Sequence, residues 1–251
     1  MRVIPVLDLR AGRAVLARAG RREAYAPVRS RLPGGDAEGD PLALGGAYRD
    51  ILGCDEWYVA DLDALAGGAV QHALLKALVG QGGRVLVDAA VSCPERAREL
   101  VADGVARVVV GLETLPSFDA LAAVARAIGP RVVFSLDLRD GVPLAQASLA
   151  RTPLEIARAA VTAGAGAIIM LDLARIGGGR GVDLVLVEAL RHAFPQVELL
   201  AGGGIGTPRD LERLAGAGLD SALIGSALHD GRIKREDVAA VRRADHSSDS
   251  R

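Results

Sequence analysis

Six carboxylates follow closely on short β-branched runs: Asp8, Asp61, Asp88, Glu113, Asp137 and Asp172. A carboxylate at the end of a strand can exchange a proton with a ligand or cap the turn that follows. Two of the six recur in almost the same wording, Leu7-Asp8-Leu9-Arg10-Ala11-Gly12 and Leu136-Asp137-Leu138-Arg139-Asp140-Gly141. A second group is made of glycines. Gly202-Gly203-Gly204 and Gly225-Ser226 leave backbone N–H groups able to surround an anion such as phosphate, and Gly178 lies in a further glycine run. Schiff-base chemistry has little to work with, because only Lys76 and Lys234 are lysines.

These groups must be positioned by elements legible in the chain. Strand-like runs are Val3–Leu7, Glu56–Ala60, Arg84–Val87, Arg107–Val110, Arg131–Leu136, Ala167–Leu171, Val197–Ala201 and Ala222–Ile224. Helical periodicity predicts helices near 41–52, 70–80, 94–103, 117–128, 153–163, 182–193, 208–217 and 234–243. Asp40-Pro41, Ser117, Thr152-Pro153 and Thr207-Pro208 are helix start signals. Eight apolar strands that barely alternate, each followed by a helix, predict an α/β fold of the (β/α)8 TIM-barrel type. The echoes between Asp8 and Asp137, Asp61-Leu62 and Asp172-Leu173, and Gly111 and Gly225 predict two duplicated half-barrels. Asp8 and Asp137 then face each other across the mouth. Residues 1–243 read as this single domain and 244–251 as a disordered tail.

Composition narrows the function. The chain has 251 residues, is 50% hydrophobic and carries a formal charge of −1. That balance gives no general attraction to nucleic acid or to an acidic membrane, so neither is expected as a partner. Two cysteines, Cys54 and Cys93, make no disulfide scaffold and suit a reducing compartment. With no apolar run near 18 residues and an early aspartate in MRVIPVLDLR, a cytoplasmic protein is expected, as a monomer or small homo-oligomer.

The wording of Val3-Ile4-Pro5-Val6-Leu7-Asp8-Leu9, Val59-Ala60-Asp61-Leu62-Asp63-Ala64, Leu136-Asp137 and Ala201-Gly202-Gly203-Gly204-Ile205…Ile224-Gly225-Ser226-Ala227-Leu228 resembles the HisA/HisF family of histidine-biosynthesis barrels, most closely its isomerase branch. The similarity runs over about residues 1–240. It implies an Amadori-type aldose–ketose isomerisation of a phosphoribosyl-amine compound, with Asp8 and Asp137 as the catalytic acid and base and no cofactor or metal. It also implies a phosphorylated small-molecule substrate, with Gly178, Gly203, Gly204, Gly225 and Ser226 holding phosphate. Asp61, Asp88 and Asp172 are candidate substrate contacts, although for Asp61, Asp172 and Glu113 capping of the local turn is the stronger reading.

The chain departs from that family pattern twice. Where the isomerase has a glycine turn after the third strand for a second phosphate, this chain has Val87-Asp88-Ala89-Ala90-Val91. Where a threonine and an Asp-Gly-Thr follow the sixth strand, it has Leu171 and Ile176-Gly177-Gly178. One phosphate, not two, is therefore expected. The alternative is a divergent HisA/HisF-related enzyme acting on a monophosphate beside a methanopterin or methanofuran pathway. Metal-dependent aldol or lyase chemistry ranks lower for want of a histidine ligand, and a non-catalytic binding protein lower still.

The segment 12–40, with Arg13, Arg18, Arg21, Arg22, Arg29, Arg31 and Tyr25, is expected to form a lid, its outer part at Gly34-Gly35-Asp36. His72 and His192 read as surface residues, His229 as a lone histidine after the last strand, Cys93 as structural, and Trp57 as packing outward.

Overall fold

The computed structural model describes residues 1–16, 25–32, 38–146, 149, 151–176 and 181–248. Eleven strands form among them: β1 (Arg2–Arg10), β2 (Arg13–Leu16), β3 (Ala26–Pro27), β4 (Glu56–Asp61), β5 (Arg84–Asp88), β6 (Arg107–Gly111), β7 (Val132–Arg139), β8 (Val142–Pro143), β9 (Ala167–Asp172), β10 (Glu198–Gly202) and β11 (Ser221–Ile224). Eight of them, β1, β4, β5, β6, β7, β9, β10 and β11, pair in parallel, and β11 returns to β1 through Arg2–Ser221 to Pro5–Ile224. The result is a closed (β/α)8 barrel.

The ring of helices is α1 (Pro41–Asp50), the short α2 (Leu62–Leu65), α3 (His72–Val79), α4 (Pro94–Ala102), α5 (Phe118–Ile128), α6 (Pro153–Thr162), α7 (Leu184–Ala193), α8 (Pro208–Gly216), the short α9 (Ser226–His229) and α10 (Arg235–Ser248). The four start signals work as read. Asp40 and Ser117 accept N–H bonds in the first turns of α1 and α5, and Thr152 and Thr207 build reciprocal capping boxes with Glu155 and Asp210. Helix α10 runs from Arg235 to Ser248, a stretch with no Gly or Pro. No helix among the described residues is long and apolar enough to cross a membrane.

Strand alternation divides the core in two. Ile4, Tyr58, Leu86, Val109, Val133, Ile169, Leu200 and Leu223 fill the barrel interior. Leu7, Trp57, Val87, Val110, Phe134, Ile168 and Leu199 face the helices. Trp57 packs outward as expected, against Tyr48 of α1 at 6.4 Å between rings. An ion cluster closes the N-terminal end of the barrel. Arg107 meets Glu198 at 2.7 Å and Glu56 at 3.6 Å, and Arg2 bonds both glutamates. That end is plugged by charge pairs, so the opposite end is left to bind a ligand.

The two echoing hexapeptides fold alike. Each turns back into a short antiparallel strand, β1 into β2 and β7 into β8. The turns pair Ala11 (φ 49°) with Gly12 (φ 76°) and Asp140 (φ 50°) with Gly141 (φ 80°), the left-handed geometry of a tight hairpin. Both turns are fastened by side chains from the next barrel unit. The N–H groups of Ala11 and Gly12 donate to Asp63 and Gln71, and those of Asp140 and Gly141 donate to the two oxygens of Asp172.

Candidate active site

The C-terminal mouth of the barrel opens into a cavity of about 300 Å³. Asp88, Glu113 and Asp137 line it from the β5, β6 and β7 units, Asp8 enters from β1 across the barrel from β7, and Gly203, Gly204, Gly225 and Ser226 follow β10 and β11. Parity puts the carboxylates there. Asp8 shares its strand face with Ile4 and Val6, Asp88 with Leu86, and Asp137 with Val133 and Ser135, all directed into the barrel.

Parity also corrects two candidate substrate contacts. Asp61 alternates with Trp57 and Val59, and Asp172 with Ile168 and Met170, so both point outward. Their oxygens are taken up by structure. Asp61 accepts from the backbone of Ala64 and from both nitrogens of Gln71, while Asp172 accepts from Asp140, Gly141, Ala174 and Arg175. Neither lines the cavity; they are turn fasteners. Glu113 does line it, exposed at the rim, and Gly178 lies outside the described residues.

Asp137 is a buried acid at the mouth. Only 6% exposed, it accepts a 2.6 Å bond from the Ser135 hydroxyl and a 3.1 Å bond from the Glu113 N–H. Burial pushes its carboxyl up to about 6, against the lowering effect of those two bonds. Glycine at 111 makes room for this group, since a Cβ there would stand 3.0 Å from Asp137 Oδ2 and 3.8 Å from Asp88 Oδ2. Asp88, 7% exposed, accepts from the Tyr58 hydroxyl at 3.3 Å and from the Ala90 N–H at 3.3 Å. Tyr58 is buried among Asp88, Asp137 and Asp8, and burial, together with those charges, holds its phenol well above the ordinary value.

In the β10 turn the glycines are demanded by geometry. Gly203 has φ 102°, and a Cβ on it would lie 2.8 Å from the Asp172 carbonyl oxygen. Gly204 is also left-handed, at φ 77°. Ala90 holds the matching place in the β5 turn at φ 53°, a glycine-like backbone carrying a methyl group. Ala90→Gly is therefore expected to stabilise the fold by up to about 1 kcal/mol, read as a rise in midpoint in urea unfolding.

Sequence reading misses Tyr58 and Arg232, which line the cavity, and Ser135, which holds Asp137 from below it. Tyr58 and Ser135 sit two residues before the mouth on the inward face of their strands, a polar side chain in an otherwise aliphatic row being the signal. Arg232 arrives from beyond α9. Its guanidinium reaches the Ser226 hydroxyl at 3.3 Å, is steadied by Asp230 at 2.8 Å, and lies so close to Gly206 that a Cβ there would meet it at 2.7 Å. His229, expected to stand alone, is buried between Tyr48 Oη at 3.2 Å and Ser30 Oγ at 3.0 Å. Its backbone carbonyl accepts from the Arg31 N–H, so it fastens the described part of the 12–40 segment to the barrel. Burial holds the ring at about 4, neutral in ordinary buffers. Of the expected lid, Val15, Leu16 and Tyr25 border the cavity, Arg13 and Arg29 bond Glu38, and Arg18, Arg21, Arg22 and Gly34-Gly35-Asp36 lie outside the described residues. His72, half-buried on α3, pairs with Asp103, His192 is exposed on α7, and neither approaches the cavity.

A parallel barrel with an acidic pair and a glycine cradle at its C-terminal mouth is an enzyme architecture of the anion-binding (β/α)8 class. The chain belongs to the family described as histidine biosynthesis protein, whose profile matches residues 2–234. It is 30% identical over 244 residues to a protein of Thermus thermophilus, covering 95% of this chain and 98% of that one. It is 33% identical over 246 residues to one of a Synechococcus strain, covering 95% and 89%. Both are named 1-(5-phosphoribosyl)-5-((5-phosphoribosylamino)methylideneamino) imidazole-4-carboxamide isomerase, as is a Deinococcus radiodurans relative at 29% identity over 242 residues, covering 92% and 94%.

Proposed function

We propose that this protein is an aldose–ketose isomerase of the Amadori type acting on a phosphoribosyl-amine compound, with Asp137 as general acid and Asp8 as general base. The observation that carries the reading is the pairing of a buried carboxyl pushed up to about 6 with a second, less buried carboxylate in the same cavity, which the glycine turns also line. Two carboxylates in unlike environments divide acid and base work. The names of the relatives describe two phosphoribosyl groups; the assigned reaction needs only the ribosylamine.

Asp137, protonated below its raised pKa, gives its proton to the ribose ring oxygen as the C1–O bond breaks. The amine nitrogen's lone pair forms the iminium at C1. Asp8 then takes the C2 proton, leaving an enolamine. The proton on Asp8 passes to C1, the C2 hydroxyl proton restores Asp137, and the product is a ketone at C2. The substrate's phosphate rests on the N–H groups about Gly203, Gly204, Gly225 and Ser226, with Arg232 beside it. Fixing that end holds C1 and C2 between the two aspartates.

The pH profile of kcat/KM tests the role of Asp137. An acid must be protonated, so activity is expected to fall as pH rises through about 6, reaching a tenfold loss for each unit well above it. A rise through the same pH would make Asp137 the base and reverse the assignment.

A further inference from the structure

We infer that Asp88 and Tyr58 form a specificity element that takes a proton-donating group, a hydroxyl or an amine, at the end of the substrate away from its phosphate. The inference rests on the proposed phosphate position and deepens that reading by naming what fills the other end. The cavity is unevenly charged. Asp88, Glu113 and Asp137 come from the β5, β6 and β7 units, with Arg139 at the end of β7 among them, whereas Arg232 stands with Ser226 and the glycines beyond β10 and β11.

The two turns that would form symmetric cradles show how the polarity arises. Ala90 and Gly204 share a left-handed backbone, while Gly203 is left-handed and its counterpart Ala89 is not, so the two turns agree at one position and part at the next. At the start of the β10 turn Gly202 is tightly packed, a Cβ meeting Leu171 and Leu223 at 3.1 Å each, and only backbone is presented. The β5 turn begins instead with Asp88, whose carboxylate is tied down by the Tyr58 hydroxyl and the Ala90 N–H. The two turns thus offer backbone donors on one side and a carboxylate acceptor on the other. A carboxylate accepts hydrogen bonds and has none to give when ionised, so it pairs with O–H or N–H and repels a phosphate dianion. Tyr58 fixes the direction of the acceptor from inside the barrel.

The test is a calorimetric titration of the full chain with inorganic phosphate, ribose 5-phosphate and ribose 1,5-bisphosphate, at pH 7.5 and low salt. Wild type should bind one phosphate per chain and prefer the monophosphate sugar over the bisphosphate by tenfold or more. Asp88→Asn should cut that preference at least fivefold, chiefly by admitting the bisphosphate. Tyr58→Phe, which removes one hydroxyl and keeps the buried ring, should cut it about threefold if the phenol directs the acceptor. A bisphosphate bound as tightly as the monophosphate by wild type, or a preference untouched in both variants, overturns the inference and leaves the proposed phosphate site standing. Failure to bind any of the three probes overturns that site and the inference together.

Discussion

Asp137→Asn is expected to lower kcat by about 10²–10⁴-fold while making the folded protein more stable above pH 6. The variant keeps the shape of the side chain and loses the proton. Its effect on stability follows from the raised pKa. The folded state holds the Asp137 proton more tightly than the unfolded chain, in which the group titrates near 3.8. Stability therefore falls as pH climbs from about 4 to about 6, by at most about 3 kcal/mol, and stays lower at higher pH. Asparagine pays no such penalty. Its melting temperature should exceed that of wild type at pH 8, and the difference should vanish near pH 4. Asp8→Asn should lose comparable activity, and both variants should bind inorganic phosphate as wild type does. If either aspartate can be removed with turnover retained, the facing-pair mechanism fails. If both variants melt early, the two residues are structural.

Gly203→Ala should weaken phosphate binding at least tenfold and destabilise the fold by about 1–3 kcal/mol. The methyl would lie 2.8 Å from the Asp172 carbonyl oxygen on a backbone at φ 102°, so the turn must shift. Because Asp172 also secures the Asp140-Gly141 turn beside Asp137, the disturbance should reach the acidic wall as well. Affinity for inorganic phosphate and urea midpoints measure the two effects. Gly46→Ala is the control, since a Cβ there meets nothing within 4 Å. Equal phosphate affinity of the two variants, with only Gly203→Ala destabilised, would show that Gly203 serves only its turn.

Most of the barrel is legible in the sequence because parallel strands buried on both faces read as continuous apolar runs and their helices carry strong start signals. The hairpins are harder. Asp140-Gly141 is a hairpin dipeptide, but the strand after it is only Val142–Pro143 and has no pattern of its own. At the site, Asp8 and Asp137 can be found from the repeat alone. Asp61 and Asp172 mislead because they end strands as the others do, although their parity with Trp57 and Ile168 marks them as outward. Arg232 has no such signal: it is one arginine among many and depends on the chain folding back past α9. The value near 6 at Asp137 depends on three-dimensional burial and could not be read from Leu136-Asp137-Leu138.

The central claim is that this mouth converts an aldose to a ketose with two aspartates. Carbon NMR of the purified protein with an N-substituted 5-phosphoribosylamine labelled at C1 and C2 observes the reacting atoms directly. The account predicts that the anomeric C1 signal gives way to a methylene at C1 and a ketone carbonyl at C2, at a rate lost in Asp137→Asn. A folded, phosphate-binding protein that returns the labelled aldose unchanged would contradict it.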